Sequence, residues 1–305
     1  MSGAESLLCS ASAVNAGEPL AGTAPEAVGW LAIEQHGPFG RDALTQSHFP
    51  RELAGRLLAL LDGSGIRPAL IRPVGRHADR HGTTPSRRVY LASSKPGNVG
   101  LVSTEFQDPT KLLDLDLDAF RAGDLANALP GTTAHDNPVL LVCSHSKRDV
   151  CCALKGRPLA SALAADTRYR GLVWETSHLG GHRFAPTAVQ LPHGWVHGRL
   201  DVDSATAVLD AALRPCPEVP LGMARGRSAF PAAAQAADLA VRSAMNISGI
   251  DATDVSHRDG DTWDVCVENT VAAVVSVASV DLATSRLESC GRQPTIGRVF
   301  KTTIL

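Results

Sequence analysis

Apolar runs alternate along the chain with amphipathic stretches, and the alternation is clearest in the second half. "PVLLVC" (138–143) is a short β-branched run suited to a buried strand, and it ends on Cys143. After a polar loop, "GRPLASALAAD" (156–166) places Pro158 to open a helix with Leu159, Ala162 and Leu163 on one face. "GLVWETS" (171–177), "PTAVQLP" (186–192) and "WVHGRL" (195–200) read as three further strands, the last two joined by a tight His193-Gly194 turn. "DSATAVLDAAL" (203–213) reads as a helix capped by Asp203 or Ser204, with Val208, Leu209, Ala212 and Leu213 forming its apolar stripe.

The first half repeats this order. "AVGWLAI" reads as a strand, "PRELAGRLLALLD" as a helix aligning Leu53, Leu57, Leu60 and Leu61, and "ALIRPV" as a strand; "RRVYLAS" and "NVGLVST" flank the turn residues "SKPG", and a helical "LLDLDLDAFRAG" closes the set. Strand, helix, strand, strand, strand, helix is the order of a thioredoxin-like domain. The fold class expected is therefore α/β: tandem thioredoxin-like domains over 1–130 and 131–218, followed by a C-terminal α+β extension over 219–305. In that extension "RSAFPAAAQAADLAVRSAMNI" reads as a helix, and "TWDVCVEN" and "TVAAVVSVASV" as strands.

Composition narrows the function classes. A chain of 305 residues, 44% hydrophobic and 20% charged, has room for two domains with a sizeable core. A formal charge of −2 provides no global attraction to nucleic acid or to an anionic membrane, and neither is expected as a partner. The first twenty residues lack the basic start and apolar run of a secretory signal, no stretch approaches the ~20 apolar residues of a membrane span, and a cytoplasmic location is expected. Seven cysteines, odd in number and unevenly spaced, suit metal ligands or redox thiols in a reducing compartment better than a disulfide framework.

Two stretches concentrate ligand-type residues: "CSHSKRDVCC" (143–152), with Cys143, His145, Cys151 and Cys152, and "SHLGGH" (177–182), with His178 and His182. If the strands preceding them are parallel neighbours, both loops leave the same sheet edge and thiols meet imidazoles there. Gly180 and Gly181 oppose a helical His pair of the zinc-protease type. They suit a loop passing close to a bulky inorganic group, to which bare N–H groups can donate. His145, His193 and His197 read as loop or strand residues, and Cys216, Cys266 and Cys290 stand isolated in the sequence. The stretch 67–88, with six arginines and with His77 and His81, reads as a solvated basic loop or a docking patch for an acidic partner.

"CSHSKRDVCCALKGRPL", "VWETSHLGGHRFAPTAVQLPHGWVHGRL" and "GTAPEAVGWLAIEQHGPFG" together resemble the sucrase/ferredoxin-like family, over roughly residues 8–245. The resemblance implies a thioredoxin-like ferredoxin holding one [2Fe-2S] cluster through Cys-x8-Cys and His-x3-His, which here are Cys143, Cys152, His178 and His182. Cys151, beside Cys152, is the alternative second thiolate. Lys147, Arg148 and Arg183, with Gly180 and Gly181, would surround the cluster, offsetting its charge or docking an acidic electron donor. The function expected is single-electron transfer with a redox partner protein rather than catalysis on a substrate of its own. The alternatives are a zinc-stabilised Cys2His2 binding module and a thiol-based reductase. The last lacks the Cys-x-x-Cys at a helix start that lowers a thiol pKa.

Overall fold

A computed structural model describes residues 8–75 and 86–305; His77 and His81 lie outside the described residues. The strands of the first half are β1 (Gly29–Glu34), β2 (Ile66–Pro73), β3 (Arg87–Lys95), β4 (Asn98–Phe106) and β5 (Thr133–Ala134). Those of the second half are β6 (Val139–Cys143), β7 (Val173–Thr176), β8 (Ala188–Leu191), β9 (Trp195–His197) and β10 (Ala224–Arg227). They form one ten-stranded sheet in the order β10-β9-β8-β6-β7-β2-β1-β3-β4-β5. Each half contains a parallel pair, β1 with β2 and β6 with β7, followed outward by antiparallel strands. The order β2-β1-β3-β4 is thus repeated as β7-β6-β8-β9, and the halves meet where β2 pairs antiparallel with β7.

At that seam Arg72 and Glu175 are direct cross-strand partners. Arg72 Nε and Nη2 donate to Glu175 Oε2 at 3.1 and 2.8 Å, Ser144 Oγ donates to the same oxygen at 2.8 Å, and Arg72 Nη1 reaches the Gly37 carbonyl at 2.8 Å. Burial lowers the Arg72 pKa, and the carboxylate opposes that shift. A buried pair so well bonded fixes register more than it adds stability, since both ions are taken out of water.

The helices are α1 (Cys9–Asn15), α2 (Ala43–Gln46), α3 (Arg51–Leu61), α4 (Leu117–Ala122), α5 (Leu125–Ala128), α6 (Val150–Ala165), α7 (Val202–Ala212) and α8 (Ala232–Met245). On α3, Leu53, Leu57 and Leu61 are buried against Leu31 and Ile33 of β1. The central strand β6 is buried at all five positions, as a strand covered on both faces should be. Its alternation sends Leu140 and Val142 toward Leu159 and Leu163 of α6 and Val208 of α7, while Leu141 and Cys143 join the opposite cluster with Trp30 and Val189.

Three local expectations are corrected. The helix of the second half starts at Val150, not at Pro158, because the Asp149 carboxylate accepts the Cys151 N–H at 2.9 Å and caps it there. Pro158 sits inside the helix, where the carbonyl it leaves without a helical donor is that of Leu154, an exposed residue. The cap of α7 is Asp201, with Ser204 as its reciprocal partner in a capping box. "LLDLDLDAFRAG" divides into a 3-10 turn (Pro109–Asp114) and α4, because the Asp116 side chain accepts the N–H groups of Asp118 and Ala119 and starts a new helix.

After residue 218 the chain first supplies β10 to the large sheet. It then forms α8, which covers a second sheet of β11 (Thr253–Asp259), β12 (Thr262–Val267), β13 (Thr270–Asp281) and a last strand, Arg298–Ile304. Between Asp281 and Arg298 the chain returns to α1 and the residues after it, where Arg286 donates to the buried Glu18 at 2.9 Å. No helix among the described residues is long and apolar enough to cross a membrane.

Gly156 lets α6 lie directly on the end of β6: a Cβ there would stand 2.0 Å from the Cys143 carbonyl oxygen. Gly156→Ala should therefore destabilise the protein by about 1–3 kcal/mol, the usual overpacking cost, and not stabilise it by the ~1 kcal/mol that helix propensity alone would give. Urea unfolding decides between the two, and a stabilised variant would contradict the close packing.

Candidate metal centre

Three elements bring ligand atoms to one point. Cys143 ends β6, Cys152 lies in the first turn of α6, and His178 follows β7. The parallel register pairs Cys143 with Thr176, so the two loops leave the sheet side by side. Cys143 Sγ and Cys152 Sγ each stand 3.9 Å from His178 Nδ1, and the three atoms lie within 4.8 Å of one another. Both thiols are fully buried.

His182 stands beside this trio. Its ring centroid is 5.3 Å from that of His178, at an interplanar angle of 34°. The Glu288 carbonyl oxygen accepts a hydrogen bond from His182 Nε2 at 2.7 Å, whereas Nδ1 is buried with no hydrogen-bond partner among the described residues. A buried ring nitrogen without a partner costs about 1–3 kcal/mol. An imidazole anchored through one nitrogen with the other free is the usual arrangement of a metal-ligating histidine. Burial also lowers the His182 pKa, against the pull of Asp149, and so favours the neutral form that can ligate.

The thiols carry unequal protons. A hydrogen bond from Cys152 lowers the Cys143 pKa well below its ordinary value; burial opposes the shift and His178 adds to it. The same bond, together with burial, raises Cys152. The opposite directions make Cys143 the readier of the two to ionise, and a metal held by both would displace the proton kept at Cys152.

Of the surrounding residues named from sequence, Gly180 and Gly181 occupy left-handed backbone at φ +90 and +70. A Cβ on Gly181 would meet Arg225 Nη2 at 2.4 Å. Lys147 and Arg148 are exposed on the loop between Cys143 and Cys152. Arg183 is committed elsewhere, bonding Glu18 at 2.9 Å and Glu288 at 2.9 Å. Cys151 faces away from the trio and lies 3.5 Å from Cys9 Sγ and 3.3 Å from Cys290 Sγ.

Three residues given no place around the site from sequence complete the surroundings. The buried His145 ring accepts the His178 N–H at 3.1 Å and bonds the Gly40 carbonyl at 2.7 Å, fixing the backbone that carries His178. Arg225, wholly buried, donates to the Gly180 carbonyl at 3.0 Å; burial brings its pKa down to about 9, with the Cys143 charge opposing. Arg67 reaches the His178 carbonyl at 3.5 Å, and burial lowers its pKa against the same thiolate. Arg67 was legible only as part of a basic stretch. No local signal marked Arg225, which arrives from a strand 82 positions beyond Cys143 in the chain, counted from 143 to 225.

Two thiols and two imidazole nitrogens, with the buried Arg225 and the half-buried Arg67 nearby, make a donor set chemically suited to a thiophilic metal or an iron–sulfur cluster. Comparison with curated proteins and with solved structures returns no match. With the sucrase/ferredoxin-like family model matching residues 20–226, more than half its length, the chain belongs to that family.

Proposed function

We propose that the protein binds one [2Fe-2S] cluster through Cys143, Cys152, His178 and His182 and passes single electrons to or from a partner protein. The observation that carries this reading is the orphaned Nδ1 of His182 beside a Cys143, Cys152 and His178 trio whose donors already converge. The family name supports a redox role. We also read the repeated strand order as two thioredoxin-like units, 1–130 and 131–218, followed by an extension over 219–305. Only the second unit carries the ligands: the strand end corresponding to Cys143 in the first is Glu34.

When bound, the cluster supplies a one-electron couple whose potential rises as thiolates are replaced by neutral imidazoles. The rest is done by the chain. Cys143 and Cys152 give the negative ligands, and Arg225, buried, and Arg67, half-buried, offset their charge. His145 holds the His178 backbone, and Glu288 holds the His182 ring. With Nδ1 turned to the thiols, His178 has Nε2 left to exchange a proton. A depression of about 260 Å³, lined by Arg41, Arg67 and Arg148 among others, opens onto this residue. Its basic rim suits an acidic redox partner. Seven unpaired cysteines suit a reducing compartment such as the cytoplasm.

A second reading, one zinc ion at the same centre, rests on how tightly Cys143, Cys152 and His178 are gathered. Iron and acid-labile sulfide separate the two. Protein prepared anaerobically with iron should contain two of each per chain, His178→Ala should lose most of both, and Cys151→Ser should keep them. Absence of sulfide from the wild type would overturn the cluster.

Proton exchange at the histidines makes a further outcome specific. The midpoint potential should fall as pH rises through the range in which a ligating imidazole loses its proton, because reduction then takes up a proton. Potentiometry giving one value from about pH 6 to 9 would contradict histidine ligands open to proton exchange.

A further inference from the structure

The cysteine left over by the first centre belongs to a second cluster of sulfur atoms. Cys9 opens α1, Cys151 lies in the first turn of α6, and Cys290 comes from the segment that returns from the C-terminal sheet. Their sulfurs form a nearly equilateral triangle: 3.5 Å from Cys9 to Cys151, 3.3 Å from Cys151 to Cys290 and 3.5 Å from Cys290 to Cys9. Asp149 Oδ1 stands 3.6 Å from Cys9 Sγ, and the four donor atoms lie within 4.8 Å of one another. Cys9 and Cys151 are fully buried, and Asp149 is 5% exposed.

We propose that Cys9, Cys151, Cys290 and Asp149 bind one zinc ion, separate from the first centre, that fastens α1 and the segment around Cys290 to helix α6. A disulfide would single out one pair and bring it to about 2.05 Å, whereas three equal separations point to a shared centre. A tetrahedral zinc ion at about 2.3 Å from each sulfur sets its ligands about 3.8 Å apart, so the trio needs to open by only a few tenths of an ångström. The carboxylate as fourth donor suits zinc better than copper(I), which prefers sulfur throughout.

The surroundings are built for negative ligands. Cys290 Sγ accepts the Cys9 N–H at 3.3 Å, and Ser10 Oγ lies 3.4 Å from Cys151 Sγ. Asp149 is itself held by the Cys151 N–H at 2.9 Å, the Cys290 N–H at 2.9 Å and Ser289 Oγ at 2.8 Å. Such outer contacts orient ligands and keep them in place. With three protein thiolates and a carboxylate the coordination is closed, which marks a structural site rather than a catalytic one.

The reading is independent of the iron–sulfur cluster, and metal content tests it. The 305-residue protein reconstituted with zinc ion should hold one zinc per chain that persists in Cys143→Ser/His178→Ala. Cys290→Ser should bind that zinc at least ten-fold more weakly while retaining the iron and sulfide of wild type. Zinc X-ray absorption on the unsubstituted protein, which needs no variant to fold, should show three sulfurs at about 2.3 Å and one oxygen at about 2.0–2.2 Å. Zinc that disappears with Cys143→Ser/His178→Ala and survives Cys290→Ser would overturn the proposal. So would a wild type that takes up no zinc under these conditions, or an absorption spectrum with two sulfurs and nitrogen donors.

Discussion

The Asp149 carboxylate is the constraint on which the rest of this region depends. It is buried at the start of α6, where burial opposes its ionisation; the donors of Cys151, Cys290 and Ser289 outweigh that and hold its pKa at about 2. By capping the helix it sets where α6 begins, and so puts Cys151 and Cys152 in the first turn instead of in a loop. Consecutive residues on a helix point about 100° apart. The vicinal pair therefore divides, Cys152 toward Cys143 and His178 and Cys151 toward Cys9 and Cys290. The same carboxylate stands 3.7 Å from His182 Nε2, so a single ion touches both groups of ligands.

Gly156 and the Arg72–Glu175 pair serve the same geometry from the other side. Without a side chain at 156, α6 approaches the last carbonyl of β6 closely enough for Cys152 to reach Cys143. The buried pair aligns β7 with β2 at the seam and also binds Ser144, the residue after Cys143. The first half of the sheet thereby helps to hold the loop that follows Cys143 in the second.

Much of this was legible in the sequence, for reasons that differ between elements. Strand 139–143 stood out because a fully buried strand is a continuous apolar run, and its adjacency to 173–176 followed from the order of elements. The meeting of the 143–152 loop with His178 followed from that adjacency, whereas the preference for Cys152 over Cys151 came from the family's spacing. The start of α6 was misread because Pro158 is a stronger local signal than Asp149, although the cap carries the larger structural consequence. Cys290 looked isolated because its partners lie 139 and 281 positions away, a contact that no local pattern encodes. The fusion of both halves into one sheet was likewise hidden, since nothing in strands 66–73 or 173–176 specifies an antiparallel neighbour from the other half.

The central claim, a cluster held by two thiolates and two imidazoles, is tested most directly by pulsed electron paramagnetic resonance on the reduced protein. Two strongly coupled nitrogen nuclei should be seen, one of them lost in His178→Ala and one in His182→Ala. A reduced cluster without strongly coupled nitrogen would contradict the account, because its ligands would then be cysteines alone.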